Sequence, residues 1–297
     1  MSEADDAMPT EVRIVEVGAR DGLQNESGVV PAGVKIGFVE ALAGAGLPVV
    51  EVTSFVSPRA VPQLADAEEV VAGVRRREGV RYPVLVPNMR GLERAEAAGV
   101  DAIAVFTAAS ESFTQANIGM TIGGSLHTFG PVLSRADDLG WWRRGYVSTA
   151  FGCPYEGAVD PAKVVEVSLM LLDLGCEEIS IGDTIGVAEP DDVRRVGAAL
   201  LEHIPAERLA LHLHDTHGRA LENVRAGLEL GIATYDSSAG GTGGCPYAPG
   251  APGNLATESL CRLLDDLGIA HGVDAEAVRA AAASLTAYVG DAHERRL

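Results

Sequence analysis

The chain has 297 residues, 47% hydrophobic and 22% charged, with a formal net charge of −19. That composition supports a large core in one or two domains, and the acidity excludes a general nucleic-acid or anionic-membrane binder while leaving room for a local cationic site. No stretch is apolar for long enough to cross a bilayer, and the four scattered cysteines form no CxxC pair, which fits free thiols in a reduced cytoplasm.

Met1 to Thr10 is acidic and lacks the hydrophobic core of a secretory signal, so it reads as a disordered tail. From there short β-rich runs alternate with helical patterns. The first strand, Val12–Val17, runs into Gly18-Ala19-Arg20-Asp21-Gly22, which is not the GxGxxG of a dinucleotide fold. A helix over Val34–Ala45 follows, then a strand over Val49–Phe55 and a helix over Ala65–Arg77. The third unit pairs Tyr82–Pro87 with Gly91–Ala98, the fourth Ala102–Thr107 with Ser125–Leu139, and the fifth Gly145–Phe151 with Ala162–Leu174. The sixth pairs Glu178–Gly182 with Asp191–His203, and the seventh Leu209–His214 with Leu221–Leu230. The eighth joins Thr234–Ser238 to a helix after Gly253 that runs through about Leu267. Glycines at 46, 99, 140, 175, 231 and 268 suit left-handed helix caps. Eight strand–helix units predict an α/β fold, a TIM (β/α)8 barrel forming one catalytic domain over 11–272. Residues 273–297 are expected to form C-terminal helices packed on the barrel.

In such a barrel, reactive groups gather where strands run into loops. The predicted strand ends carry Arg20 and Asp21; Glu51, Thr53 and Ser54; Asn88; Ser110, Glu111 and Asn117; Cys153, Tyr155 and Glu156; Asp183 and Thr184; and His212 with His214. The eighth opens into a Gly- and Pro-rich loop with Cys245, then Asn254. His212 and His214 stand two apart on a strand, so both rings reach one point. Two imidazole nitrogens, Asp21 and the Asn254 amide oxygen make a mixed N/O donor set. It suits a divalent metal, Mg²⁺ or Mn²⁺ first, with Co²⁺ or Zn²⁺ as alternatives. Arg20 beside such a centre calls for bound or developing negative charge, as in an enolate. A thiol at Cys245, on a mobile loop, could relay a proton.

These motifs jointly resemble the 3-hydroxy-3-methylglutaryl-CoA lyases, within the metal-dependent pyruvate-carboxylase-like superfamily of TIM barrels. The resembling stretches are VEVGARDGLQNE (15–26), EVTSFVSPRAVPQLAD (51–66), GCPYEG (152–157), ISIGDTIGV (179–187), HLHDTHG (212–218) and GGCPYAPGAPGNLATE (243–258). The resemblance implies metal ligands Asp21, His212, His214 and Asn254. It implies that Arg20 polarises a thioester and stabilises its enolate, that Cys245 is the loop thiol, and that the base is His212 or a metal-linked water. Glu51 and Asp183 match supporting acids, and Gln24, Ser54, Tyr146 and Thr184 match pocket positions. The implied reaction is retro-Claisen cleavage of an acyl-CoA to acetyl-CoA and a β-keto acid, by a homodimer or higher homo-oligomer that needs neither nucleic acid nor membrane. A related aldolase acting on a 2-oxo acid is the alternative. Family lysines are replaced here by Ser27, Gln115 and Ala116, and Thr107, Thr149 and Phe151 also depart from the pattern, so a longer 3-alkyl branch on the substrate is an open alternative.

Overall fold

The computed structural model describes residues 8–26, 28–243, 253–285 and 287–289. The strands are β1 (Arg13–Glu16), β2 (Val49–Val50), β3 (Thr53–Ser54), β4 (Val84–Leu85), β5 (Ala102–Ala108), β6 (Trp142–Ser148), β7 (Glu178–Asp183), β8 (Leu209–Leu213) and β9 (Thr234–Ser237). The helices are α1 (Ala32–Gly44), α2 (Ala67–Gly73), α3 (Met89–Ala97), α4 (Glu111–Ile118), α5 (Ile122–Asp138), α6 (Pro161–Asp173), α7 (Pro190–Leu201), α8 (Ala220–Glu229), α9 (Thr257–Leu267) and α10 (Ala275–Ala283).

All ladders are parallel, in the order β2-β1-β9-β8-β7-β6-β5-β4-β3. The two ends of this list, β2 and β3, are consecutive halves of one extended stretch. Across the gap, Glu51 N–H bonds to Glu16 O (2.8 Å) and Val52 N–H to Pro83 O (2.9 Å). One stave therefore pairs with β1 on one side and β4 on the other, and the sheet closes into the expected eight-stave barrel.

Parallel staves are buried on both faces, and their two sides do different work. Ile14, Val50, Val52, Ile103, Val105, Ile179, Ile181, Leu209, Leu211, Leu213 and Tyr235 join the main core shared with the helices. The residues between them face inward. Val15, Val17 and Val49 fill one part of the interior, and Leu85, Ala104 and Tyr146 another. Charge fills much of the rest. Arg144 is 0% exposed, 2.6 Å from Asp236 and 2.9 Å from Glu178, and Arg13 joins the same Glu178. Buried charges persist only when paired, so an Arg-Arg pair at 143–144 can sit within a strand.

Three elements differ from the sequence-based expectation. β6 begins at Trp142 rather than Gly145, because pairing makes Arg144 an interior residue. The stretch after β5 forms helix α4: the Ser110 hydroxyl accepts the Phe113 N–H (3.1 Å) and Gly119 ends the helix at φ +70°. The expected second strand is divided. α10 packs on α1 and α9. Residues 1–7, 286 and 290–297, and with them most of the expected tail and much of the C-terminal extension, lie outside the described residues. Among the described residues, no helix is long and apolar enough to cross a membrane.

Candidate metal centre

Arg20 and Asp21 ride on a widened turn after β1, in which the Asp21 and Gly22 N–H groups both bond to Val17 O (2.8 and 3.2 Å). Such wide turns are rare and often functional. Glycine keeps its ends uncrowded: a Cβ at position 18 would lie 2.6 Å from Glu16 Oε1, and one at 22 would lie 3.1 Å from Thr242 O.

His212 lies on the inward face of β8 and His214 just beyond its end on the same side, as the spacing predicts. Their Nε2 atoms face each other at 3.1 Å. His212, His214 and Asp21 each offer a donor atom, all within 4.8 Å of one another. His212 Nδ1 lies 3.2 Å from Asp236 Oδ2. That contact commits the Nδ1 proton to the carboxylate and turns the Nε2 lone pair into the site, the usual way a ligand imidazole is oriented. Two imidazole nitrogens so close cannot both carry protons. Burial lowers the His212 pKa, but the Asp236 hydrogen bond and the Asp21 charge reverse this and the net shift is upward. Burial and the neighbouring His212 push His214 down to about 3. Burial raises Asp21, but Arg20, His212 and Asn254 prevail and hold it at about 2. A carboxylate facing two ring nitrogens is a donor set that fits a divalent cation.

Asn254 is brought beside His214 by a backbone bridge. Its Nδ2 donates to Asp21 Oδ2 (2.9 Å) and Thr242 O (3.2 Å), which leaves Oδ1 as the end available to a cation. Arg20 is 5% exposed; its Nε donates to Glu51 Oε2 (2.7 Å) and its Nη1 to Asp21 Oδ1 (2.7 Å). The guanidinium also lies 5.2 Å from the Tyr146 ring centre. Burial opposes its charge, yet Glu51 and Asp21 raise its pKa further. Tyr146 donates its hydroxyl to Glu51 Oε2 (3.1 Å), and burial with Glu51 keeps that hydroxyl protonated. Gln24 Nε2 steadies Asp21 Oδ1 (3.0 Å).

Arg20, Asp21, Gln24, Tyr146, Thr184, His212 and His214 all line one cavity of about 540 Å³, with a second wall of Leu85, Phe106, Phe113, Ile118, Met120 and Phe129. Glu51 stands behind Arg20. Three other expected residues, Asn254, Asp183 and Ser54, are not among its lining, and Asn254 reaches the site through Asp21. Asp183 accepts the N–H groups of Val187 (3.0 Å) and Ala188 (3.1 Å), so it caps the loop after β7, and burial raises its pKa to about 6. Ser54 Oγ is directed to Leu85 O (3.4 Å). Cys245 and Ser27 lie outside the described residues.

Sequence reasoning did not single out Asp236, Arg144 or Ser180. Asp236 takes His212, Arg144 Nη2 (2.6 Å) and Ser180 Oγ (2.8 Å) at once. The local signal was weak: an aspartate in β9, a strand that otherwise carries hydroxyl side chains at Thr234, Tyr235 and Ser237.

The family model described as HMGL-like matches residues 11–285. The chain is 53% identical over 266 residues to the mitochondrial hydroxymethylglutaryl-CoA lyase of Bos taurus, covering 90% of this chain and 82% of that protein. Among solved structures, it resembles an HMG-CoA lyase from Brucella melitensis (TM-score 0.92, 50% identity, 93% of this chain and 98% of that one). It also resembles an HMG-CoA lyase from Acinetobacter baumannii in complex with coenzyme A and 3-methylmalate (TM-score 0.88, 36% identity, 97% and 92% coverage).

Proposed function

The chain belongs to the HMGL-like family, and from that premise we infer that it is a hydroxymethylglutaryl-CoA lyase, cleaving 3-hydroxy-3-methylglutaryl-CoA to acetyl-CoA and acetoacetate. The observation that carries this reading is the Asp21–His212–His214 cluster opening into one cavity with Arg20.

Asp21, His212, His214 and Asn254 would hold a divalent cation, Mg²⁺ or Mn²⁺ by donor type. When bound, the cation supplies Lewis-acid polarisation of the substrate's tertiary hydroxyl and free carboxylate. The hydroxyl proton leaves on the His212 side of the site. The bond between the hydroxyl-bearing carbon and its thioester-side neighbour breaks, and its electron pair passes into the thioester as an enolate. Arg20, held in place by Glu51 and Tyr146, offers its remaining N–H groups to the enolate oxygen. Cys245 donates its thiol proton to the enolate carbon, and the proton taken from the hydroxyl is passed back to the Cys245 sulfur, so substrate and enzyme both end the cycle without net gain or loss. Thr184 and Gln24 line the path, and Asp183 fixes the loop that carries Thr184. The apolar side chains that line the cavity suit an alkyl branch at C3, methyl or larger. A homodimer in the cytoplasm completes the reading, and sedimentation of the purified chain tests its assembly.

The test is thioester product release from a series of 3-hydroxy-3-alkylglutaryl-CoA esters. Acetyl-CoA should form with Mg²⁺ or Mn²⁺, stop with chelator and return on re-addition. Activity on pyruvate and aldehydes, with none on the CoA esters, would overturn the proposal. Arg20→Met should lower kcat by about 10²–10³, as loss of one preorganised donor does elsewhere.

A further inference from the structure

Glu16 takes no part in the chemistry above. It is 0% exposed and lies on the helix-facing side of β1. Its Oε1 accepts the N–H groups of Gly18 (2.8 Å) and Ala239 (2.9 Å), and its Oε2 accepts the Thr257 hydroxyl (2.6 Å). Among the described residues no cation pairs with it. The three donors come from three separate segments. Gly18 opens the turn that carries Arg20 and Asp21. Ala239 opens the bend that reaches Thr242, whose carbonyl holds the Asn254 amide. Thr257 begins α9, three residues beyond Asn254. Side bonds tighten the same knot: Ser238 Oγ donates to Thr242 O (2.9 Å), Thr257 Oγ1 meets Ser237 Oγ (2.8 Å), and Ser238 N–H bonds to Leu255 O (2.9 Å). His212 is held by β8 and Asp236, while His214 is also tied to Asn254 through its backbone bridge.

We propose that Glu16 is a positioning residue of the metal centre, clamping the Asp21 turn to the Ala239–Thr242 bend and to the start of α9 beside Asn254, and so setting the separation of the two oxygen donors. The inference rests on the metal site proposed above. It concerns geometry rather than charge, which makes it separable from a general effect on folding. In Glu16→Gln the amide oxygen keeps both backbone N–H groups, and the Thr257 hydroxyl turns to accept from the new NH₂ while donating to Ser237. In Glu16→Ala both N–H groups lose their acceptor. In Gly18→Ala the new Cβ would stand 2.6 Å from Oε1 and push the carboxylate aside.

The experiment is Mn²⁺ titration of the full chain, read by electron paramagnetic resonance, beside thermal unfolding. Glu16→Ala and Gly18→Ala should each weaken Mn²⁺ binding about tenfold or more, the usual scale for lost outer-shell support, with Glu16→Gln within about threefold of wild type. The two changes should not add: in the Glu16→Ala background, Gly18→Ala should cost less than about a further twofold. Asp160→Ala, which removes the cap of α6 (3.0 Å to the Ala162 N–H), should lower Tm and leave Mn²⁺ affinity alone. If Glu16→Ala does not fold, Gly18→Ala and Thr257→Val carry the test. Mn²⁺ affinity unchanged in Gly18→Ala or in any folded Glu16→Ala, or weakened equally in Asp160→Ala or Glu16→Gln, overturns the clamp. A wild type that binds no Mn²⁺ overturns the metal centre itself, and the clamp with it.

Discussion

Asp236 stands between the barrel's charged interior and its reactive rim. It accepts Arg144 on one side and orients His212 on the other. Asp236→Asn keeps the shape but turns an amide toward one of these partners. Metal affinity should fall about 10- to 100-fold, measured by calorimetric Mn²⁺ titration; an unchanged affinity would show that His212 does not need this support. Glu16 allows a second test through protons. Burial raises its pKa from 4.5 to about 7. The folded state therefore prefers the protonated form, and the ionised form costs stability at pH values above about 7. That cost, on the order of 3 kcal/mol for such a shift, disappears as pH falls toward 4.5. Glu16→Gln carries no such cost. Its unfolding free energy relative to wild type should rise between pH 5 and pH 7.5 and level off above, as read from urea melts. A difference that stays flat with pH would contradict the raised pKa. Among these residues the paired histidines and Arg20-Asp21 were legible because spacing and neighbouring charge announce them. Asp236 and Glu16 were not, because their roles depend on which strands and loops lie beside them.

At the level of elements, the end of β6 stores strain beside the cavity. Thr149 adopts φ +55°, a left-handed conformation that β-branched residues avoid. Its N–H bonds to Thr184 Oγ1 (2.7 Å), which links the loops after β6 and β7. Thr149→Gly removes the strain and keeps that N–H. It should raise stability by about 1 kcal/mol, visible as a higher Tm; a lower Tm would mean the backbone angle is not the dominant cost. The same region shows where sequence patterns stop being readable. The eight units and their glycine caps follow from local periodicity. The start of β6 does not, since two arginines look like a loop until Asp236 and Glu178, distant in sequence, neutralise one of them. α4 escaped notice for a related reason: Ser110-Glu111 serves equally as a strand-end rim and as a helix cap.

For the whole molecule, folding and metal binding share one free energy. A cation that binds only the folded chain stabilises it by RT ln(1 + [L]/Kd), about 2.7 kcal/mol at a hundredfold excess over Kd. Mn²⁺ should therefore raise Tm in a concentration-dependent way, and chelator should reverse it. His214→Ala should abolish that response; a Tm insensitive to Mn²⁺ in the wild type would speak against the site. The closure of the ring has a consequence for biosynthesis. β1 lies between β2 and β9, and Arg13 meets Thr234 across 221 residues of chain. A nascent polypeptide emerging from the ribosome cannot complete this circle until Ser237 has been made. Until then β1 keeps an unpaired flank, so the growing chain passes through a long interval in which that edge is open to pairing with other chains.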